Sequence, residues 1–249
     1  MIIQSLTEYY HRKANDPESG IAPEGFENKE LQFMIVIDQD GYFSSLQDLR
    51  EKDGTKLVGK NYLLPKATGR SGSKSYATTF LLWDHVGYVL GLPETEIDTE
   101  GNEVPIIKSQ LQHETWINHL YSLPSDLKQD EGVSAVIKFY EKNQAEIAKN
   151  DPIISDLLKS TSKNISFRLI GEDPIPCRSS VKEFVTENLR VQRLPGDVDV
   201  GTCIISGKKG IVARTHTQTP IGRDSKVLVG FQRNSGYDSY GKEQGYNAP

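Results

Sequence analysis

Phe33-Met34-Ile35-Val36-Ile37, running through Asp38-Gln39-Asp40-Gly41 into Tyr42-Phe43, is the stretch from which the fold class follows. Leu31 to Ile37 is rich in β-formers and the acidic, glycine-ended quartet is turn chemistry, so the segment reads as a strand entering a hairpin. Asp38 and Asp40 also suit a metal. With no third carboxylate beside them, turn chemistry accounts for the pair better. A second strand is expected at Ile165-Ser166-Phe167-Arg168-Leu169-Ile170, and others at Tyr62-Leu63-Leu64 and Val227 to Phe231. Around these lie helical patterns at 2–14, with Ile2, Ile3, Leu6, Tyr9 and Tyr10 on one side, and at 45–51, 76–90, 106–122 and 132–149. A further helix opens at Asp151-Pro152, and Ser179/Ser180 are placed to cap one running to Arg190. Helices and strands alternate without a βαβ rhythm. The class is α+β, with mixed helices and short antiparallel strands and hairpins in one large domain.

The chain has 249 residues, 36% hydrophobic and 25% charged, which is ordinary globular composition. Two cysteines, Cys177 and Cys203, are too few for a disulfide framework or a four-thiolate zinc site and point to a reducing compartment. The apolar runs are too short to cross a bilayer, and Met1 to Ser5 lacks signal-peptide character, so a cytoplasmic protein is expected.

Net charge is −5, which excludes a uniformly basic nucleic-acid coat. The average hides a pattern. Residues 1–55 carry five bases against eleven acids, whereas 56–80 hold Lys56, Lys60, Lys66, Arg70 and Lys74 with no acid. Residues 84–103 reverse to six acids and no base, and 93–105 reads as an acidic surface loop. From 201 onward seven bases face three acids. Catalytic signatures fail in turn. His113-Glu114-Thr115-Trp116-Ile117 has isoleucine where a zinc protease needs its second histidine, and Gly201 to Lys209 lacks P-loop spacing. No Gly-x-Ser-x-Gly elbow is present. Cys203 with His216 could form a nucleophile and base, but Cys203 lies in an apolar strand where a small buried hydrophobe is the ordinary reading.

Two glycine-rich basic segments remain as candidate polyanion sites. In Lys66-Ala67-Thr68-Gly69-Arg70-Ser71-Gly72-Ser73-Lys74 the glycines let backbone N–H groups approach a ligand while three cations and two hydroxyls surround it. The second runs from Arg233-Asn234-Ser235-Gly236 to Lys242-Glu243-Gln244-Gly245. Amide side chains there can read base edges, while Lys and Arg set register on phosphates. Gly207-Lys208-Lys209-Gly210, followed by Arg214, forms a basic hairpin.

The chain resembles the N-terminal part of the large subunit of the type I-C CRISPR surveillance complex (Cascade), the Cas-eight-c family. The resemblance lies in Leu6-Thr7-Glu8-Tyr9-Tyr10, Gly20 to Glu27, Leu64-Pro65-Lys66 with Arg70-Ser71-Gly72, and Leu82-Trp83-Asp84 with Tyr88-Val89-Leu90-Gly91. It continues in Phe167-Arg168-Leu169 and in the closing block Ser239 to Pro249, its most distinctive piece. Family members run on into a C-terminal helical domain, so the resemblance implies that 1–249 corresponds to the N-terminal domain. Within it, subdivisions fall at 1–105, a helical insertion at 106–160, and a strand-rich part at 161–249.

The resemblance implies a non-catalytic subunit that recognises the protospacer-adjacent motif in duplex DNA, aids duplex opening and R-loop formation, and recruits the helicase–nuclease in antiviral defence. Its implied partners are double-stranded target DNA, guide RNA, other Cascade subunits, the helicase–nuclease and anti-CRISPR inhibitor proteins, with no membrane, cofactor or metal. Guide pairing carries most sequence information, so the protein need read only a few base pairs. On this reading Lys66, Arg70 and Lys74 neutralise phosphates, Ser71, Ser73, Asn234 and Gln244 reach the groove, and Gly72 admits the backbone. Lys208 and Lys209, at a hairpin tip, act as a wedge or track a separated strand, with Arg214, Arg233 and Lys242 adding charge. The alternative is an assembly module whose basic loops grip guide RNA and neighbouring subunits without reading DNA. A metal-dependent nuclease using Asp38 and Asp40 is a distant third.

Overall fold

The computed structural model describes residues 2–14, 16, 19–70, 72–97, 99–192, 200–202, 207, 209–211, 218–219 and 226–227. They fall into two compact units, Lys13–Thr186 and the combination of Met1–Arg12 with Glu187–Pro249. The helix expected at the start is α1 (Ile2–Ala14). On its anticipated apolar side Leu6 and Tyr9 are exposed.

The larger unit then runs β1 (Phe26–Leu31), β2 (Phe33–Ile37), β3 (Phe43–Asp48), β4 (Glu51–Asp53), β5 (Lys56–Val58) and β6 (Lys60–Pro65). A 3-10 turn at Ser75–Ala77, β7 (Trp83–His85), α2 (Val86–Val89), β8 (Thr95–Ile97) and β9 (Glu103–Pro105) follow. Next come α3 (Ile107–Ser122), α4 (Ser125–Lys128), α5 (Glu131–Glu141), α6 (Gln144–Lys149), α7 (Ile154–Lys159), β10 (Asn164–Leu169) and α8 (Ser179–Gln192), whose residues from Glu187 on belong to the other unit. In the second unit β11 (Val200–Thr202) pairs antiparallel with β12 (Lys209–Ile211), and β13 (Gln218–Thr219) pairs with β14 (Lys226–Val227). The fold is α+β, as expected.

The centre is a four-stranded sheet in the order β3-β2-β10-β7. β2 and β3 form the hairpin read from the sequence, and β10 lies parallel to β2, Phe167 opposite Ile35. One face, bearing Phe33, Ile35, Ile37, Ile165, Phe167 and Leu169, packs under the helices against Trp116, Val136 and Phe139. Phe139 meets Phe167 edge to face at 5.2 Å. On the other face Met34 and Trp83 pack with Leu31, Leu49 and Leu64, which belong to or adjoin the antiparallel β1–β6 ribbon. The segment 106–160 shares the first of these cores; its helices cover the sheet.

The hairpin turn is built as its sequence dictates. Asp38 Oδ1 accepts from the backbone N–H groups of Asp40 (3.0 Å) and Tyr42 (2.8 Å), so turn bonding occupies that carboxylate. Gly41 has φ +81°, and a Cβ there would lie 2.6 Å from the Ala135 carbonyl oxygen and Phe139 N of α5. Glycine is required by both conformation and space.

Several expectations need correction. The run 31–37 is two strands, because buried Gln32 breaks it; its Nε2 donates to Glu30 (2.9 Å) and Thr161 (3.0 Å). Ser45 to Glu51 is not a helix. Residues 43–48 are β3, where backbone pairing with β2 supplies what the side chains do not, Leu46 being the one buried residue in it. The 132–149 helix is two, interrupted at Asn143, whose φ of +54° ends helical geometry. The acidic 93–105 segment is a β-hairpin, β8 against β9. Ser180 is inside α8, its hydroxyl committed to Asp130. Lys209 pairs opposite Thr202 within β12, so it stands in the strand and not at the hairpin tip.

Asp130 ties α5 to α8. Its Oδ1 caps α5 by accepting from Val133 N (3.1 Å), and its Oδ2 accepts from Ser180 Oγ (2.7 Å) and Arg178 Nε (3.0 Å). Burial works to raise this carboxyl, but the bonds from Ser180, Val133 and Arg178 hold it below the ordinary value. Its stabilising contribution is therefore present above the unfolded carboxylate range and is lost as pH falls through the native pKa. Asp130→Ala is expected to cost about 2–4 kcal/mol in denaturant unfolding at neutral pH. Asp130→Asn should flatten the stability-versus-pH curve between neutral and acidic pH, and an unchanged curve would remove the tie between α5 and α8 as its source.

Candidate nucleic-acid interface

The sequence places its first basic loop immediately after β6, and the structure shows how that loop is held. Pro65, the last residue of β6, offers its carbonyl to Trp83 Nε1 at 2.9 Å. Lys66 N donates to Gly25 O (2.8 Å) and Ala67 N to Glu27 Oε1 (2.9 Å), which fastens the loop's entry to the start of β1. Trp83 is fully buried beneath this junction, with Phe80 stacked at a tilt and the Lys29 ammonium 5.6 Å from its ring centre.

Arg70 turns inward. Its Nε donates to Thr78 O (2.7 Å), Nη1 donates to Asp84 Oδ1 (2.9 Å), and Nη2 pairs with Asp84 Oδ2. The guanidinium lies between the rings of Phe80 and Tyr88, 3.7 and 3.9 Å from their centres. Asp84 has no exposed surface, and it also accepts from Phe80 N (3.0 Å) and His85 N (2.7 Å). Burial pushes the Asp84 carboxyl up, against the pull of Arg70 and the two N–H groups. Leaving either partner alone in this environment is costly. Arg70, expected from the sequence to face phosphate, is instead the bolt that closes the loop onto β7.

This anchor explains why 76–90 is not the single helix its pattern suggests. The chain makes a 3-10 turn at Ser75–Ala77, passes through buried Leu82 at φ +62°, and extends as β7 so that Asp84 meets Arg70. A leucine in left-handed geometry is strained by about 1–3 kcal/mol, which the surrounding bonds outweigh. Ser166 Oγ holds the Leu82 carbonyl at 2.8 Å. Only Val86–Val89 is helical, capped by His85 Nδ1 accepting from Gly87 N (3.0 Å).

Two more ties hold the loop's far end. Tyr88 OH donates to Ser75 O (3.0 Å), and Thr79 Oγ1 bonds His119 Nδ1 of α3 (2.6 Å). Burial holds the His85, His113 and His119 imidazoles below their ordinary value, so these rings are neutral at pH 7. Between the ties, Lys66, Thr68, Gly69, Gly72, Ser73 and Lys74 face solvent. Gly72 takes φ +75°, and Ser75 N closes back on its carbonyl at 3.2 Å. Neither Lys66 nor Lys74 meets a carboxylate among the described residues. At its described positions the loop presents two cations that meet no carboxylate, with the hydroxyls of Thr68 and Ser73.

Of the expected site residues the structure thus brings together Lys66, Gly72, Ser73 and Lys74 at one surface and takes Arg70 into the interior. Lys209 is exposed in the other unit. Ser71, Lys208, Arg214, Arg233, Asn234, Lys242 and Gln244 lie outside the described residues, as do Cys203, His216 and the closing block. Sequence reasoning missed Thr78, Asp84, Tyr88 and His119 as supports. A Trp-Asp-His run in a segment patterned as a helix gives no sign that its carboxylate will pair with an arginine fourteen residues earlier. The other cysteine, Cys177, is half-buried and burial pushes its thiol up to about 11, so it is protonated at neutral pH. Among the described residues no group of three or more His, Cys, Asp or Glu could hold a metal ion, and no helix is long and apolar enough to cross a membrane.

Removing one partner of the anchor strands the other. Arg70→Ala and Asp84→Ala should each lower unfolding free energy by about 3–5 kcal/mol. Arg70→Lys should not rescue, since an ammonium cannot bond both carboxylate oxygens and stack between two rings. Thermal unfolding reads this directly. An Arg70→Ala protein of wild-type stability would place the guanidinium in solvent.

A family model described as CRISPR-associated protein (Cas_Csd1) matches residues 6–249. No curated protein matches the chain.

Proposed function

We propose, from the premise that the chain belongs to this family of CRISPR-associated proteins (Cas_Csd1), that it is the non-catalytic DNA-recognition subunit of a type I-C Cascade. In this role it reads the protospacer-adjacent motif in duplex DNA, aids duplex opening and R-loop formation, and takes part in recruiting the helicase–nuclease. The observation that carries the reading is the anchored loop 66–80. Its internal cation is satisfied by Asp84, and Lys66 and Lys74 meet no carboxylate among the described residues of a loop tied at Pro65, Arg70 and Ser75.

Such a surface suits recognition of a short motif. Lysines set register on phosphates, and the Ser73 hydroxyl is short enough to work at a groove floor. Residues already tied to the fold lose little conformational entropy on binding, so two or three contacts suffice for a weak, rapidly sampled interrogation of DNA. Pairing with guide RNA then supplies the sequence information that the protein does not read. The larger unit carries a net negative charge outside this loop, which disfavours a broad non-specific hold on DNA.

The test is made in the assembled complex on duplex DNA with and without the motif. Lys66→Ala and Lys74→Ala should each weaken motif-dependent binding and reduce the log–log salt slope by roughly 0.9, with unfolding temperature unchanged. Unchanged affinity and slope would remove the loop from the DNA interface. Failure of the variants to assemble, with motif discrimination intact in whatever complex forms, would favour the assembly-module reading, in which the loop grips guide RNA or a neighbouring subunit.

A further inference from the structure

The β8–β9 hairpin carries two features that oppose one another in a purely solvated loop. Residues 93–106 hold five carboxylates, Glu94, Glu96, Asp98, Glu100 and Glu103, and no Lys or Arg. Yet Ile97 is 69% exposed, and Ile107, at the first position of α3, is 66% exposed. Ile97 pairs opposite Glu103 and Thr95 opposite Pro105, so these four share one face of the ribbon, and all are exposed. Ile107 lies two residues beyond Pro105. The other face is differently made, with Val104 half-buried.

The hairpin is fixed at its root. Ile106 N donates to Glu94 O at 2.7 Å, and the Glu94 carboxylate pairs with the Lys149 ammonium of α6. Thr95 Oγ1 donates to Glu103 Oε1 (2.6 Å), which holds that carboxylate on the isoleucine-bearing face. A single exposed isoleucine is ordinary. Ile97 on the rooted ribbon and Ile107 just beyond it stand in a carboxylate-rich segment, with Lys108 following Ile107 and Lys149 paired to Glu94, the make-up of a small apolar centre with a charged, predominantly acidic rim.

We infer that this face is a protein-docking element whose partner presents a basic surface around an apolar pocket. Charge selects that occupant. The net negative charge of this segment, which Lys108 and the Glu94-bound Lys149 reduce but do not cancel, disfavours DNA, RNA and an anionic membrane, and a second copy docked through the same hairpin would oppose carboxylate to carboxylate. A cationic protein surface is attracted over several ångströms and then buries Ile97 and Ile107. The inference does not depend on the DNA-recognition reading, and duplex binding serves as its control.

The experiment titrates the intact chain, by calorimetry at low and high salt, with each of the other protein subunits of its CRISPR assembly, purified separately. One subunit with a basic surface should bind, more weakly as salt rises. The Ile97→Asp/Ile107→Asp variant should weaken that binding by about tenfold or more, with unfolding temperature and duplex binding unchanged. The Glu96→Lys/Glu103→Lys variant keeps both isoleucines and reads the charge separately; it too should weaken binding. Binding indifferent to both variants, absence of binding by every subunit, or self-association of the chain abolished by the isoleucine variant would each overturn the proposal.

Discussion

The Arg70–Asp84 pair organises the region that faces the outside. A carboxylate with no exposed surface is tolerable only because a guanidinium meets both its oxygens and two backbone N–H groups complete its bonding. The guanidinium is in turn held flat between Phe80 and Tyr88. Since Asp84 belongs to β7 and β7 pairs with β10, the loop is tied through one ion pair to the central sheet. The described outer residues are positioned by an interaction none of them makes.

That dependence runs further inward. β10 is the strand shared by the parallel pair with β2 and the antiparallel pair with β7, and its apolar residues fill the core beneath the helices. Trp83 and Met34 fill the space under the β1–β6 ribbon. The ribbon's end, Pro65, is bonded to Trp83, so both ends of the loop are anchored to the same buried ring and its neighbour. Precision at the surface is inherited from packing on both faces of the sheet.

Charge is partitioned along the larger unit in a way that its average conceals. The loop after β6 offers lysines without acids, while the β8–β9 hairpin offers carboxylates without bases. At physiological salt such fields reach about 8 Å, far enough for each to select what comes into contact with it. Opposite signs thus sit on separate projections of one unit.

Local chemistry determined much of this protein directly from its sequence. The Phe33–Ile37 strand, its Asp38–Gly41 turn, the α3 helix and the strand at 164–169 were legible, because propensity, turn bonding and periodicity agree there with the final packing. The charge pattern, and Lys66 and Lys74 as exposed cations of a glycine-containing loop, were legible for the same reason. The tertiary structure alone decided that 43–48 is a strand, that 76–90 breaks at Leu82, and that Arg70 faces the interior. In each case the deciding partner is distant in sequence or hidden by a misleading local pattern: β2 for the strand, Ser166 for Leu82, Asp84 for Arg70. A buried ion pair is a property of two residues brought into one low-dielectric space, and the sequence records neither the encounter nor the space.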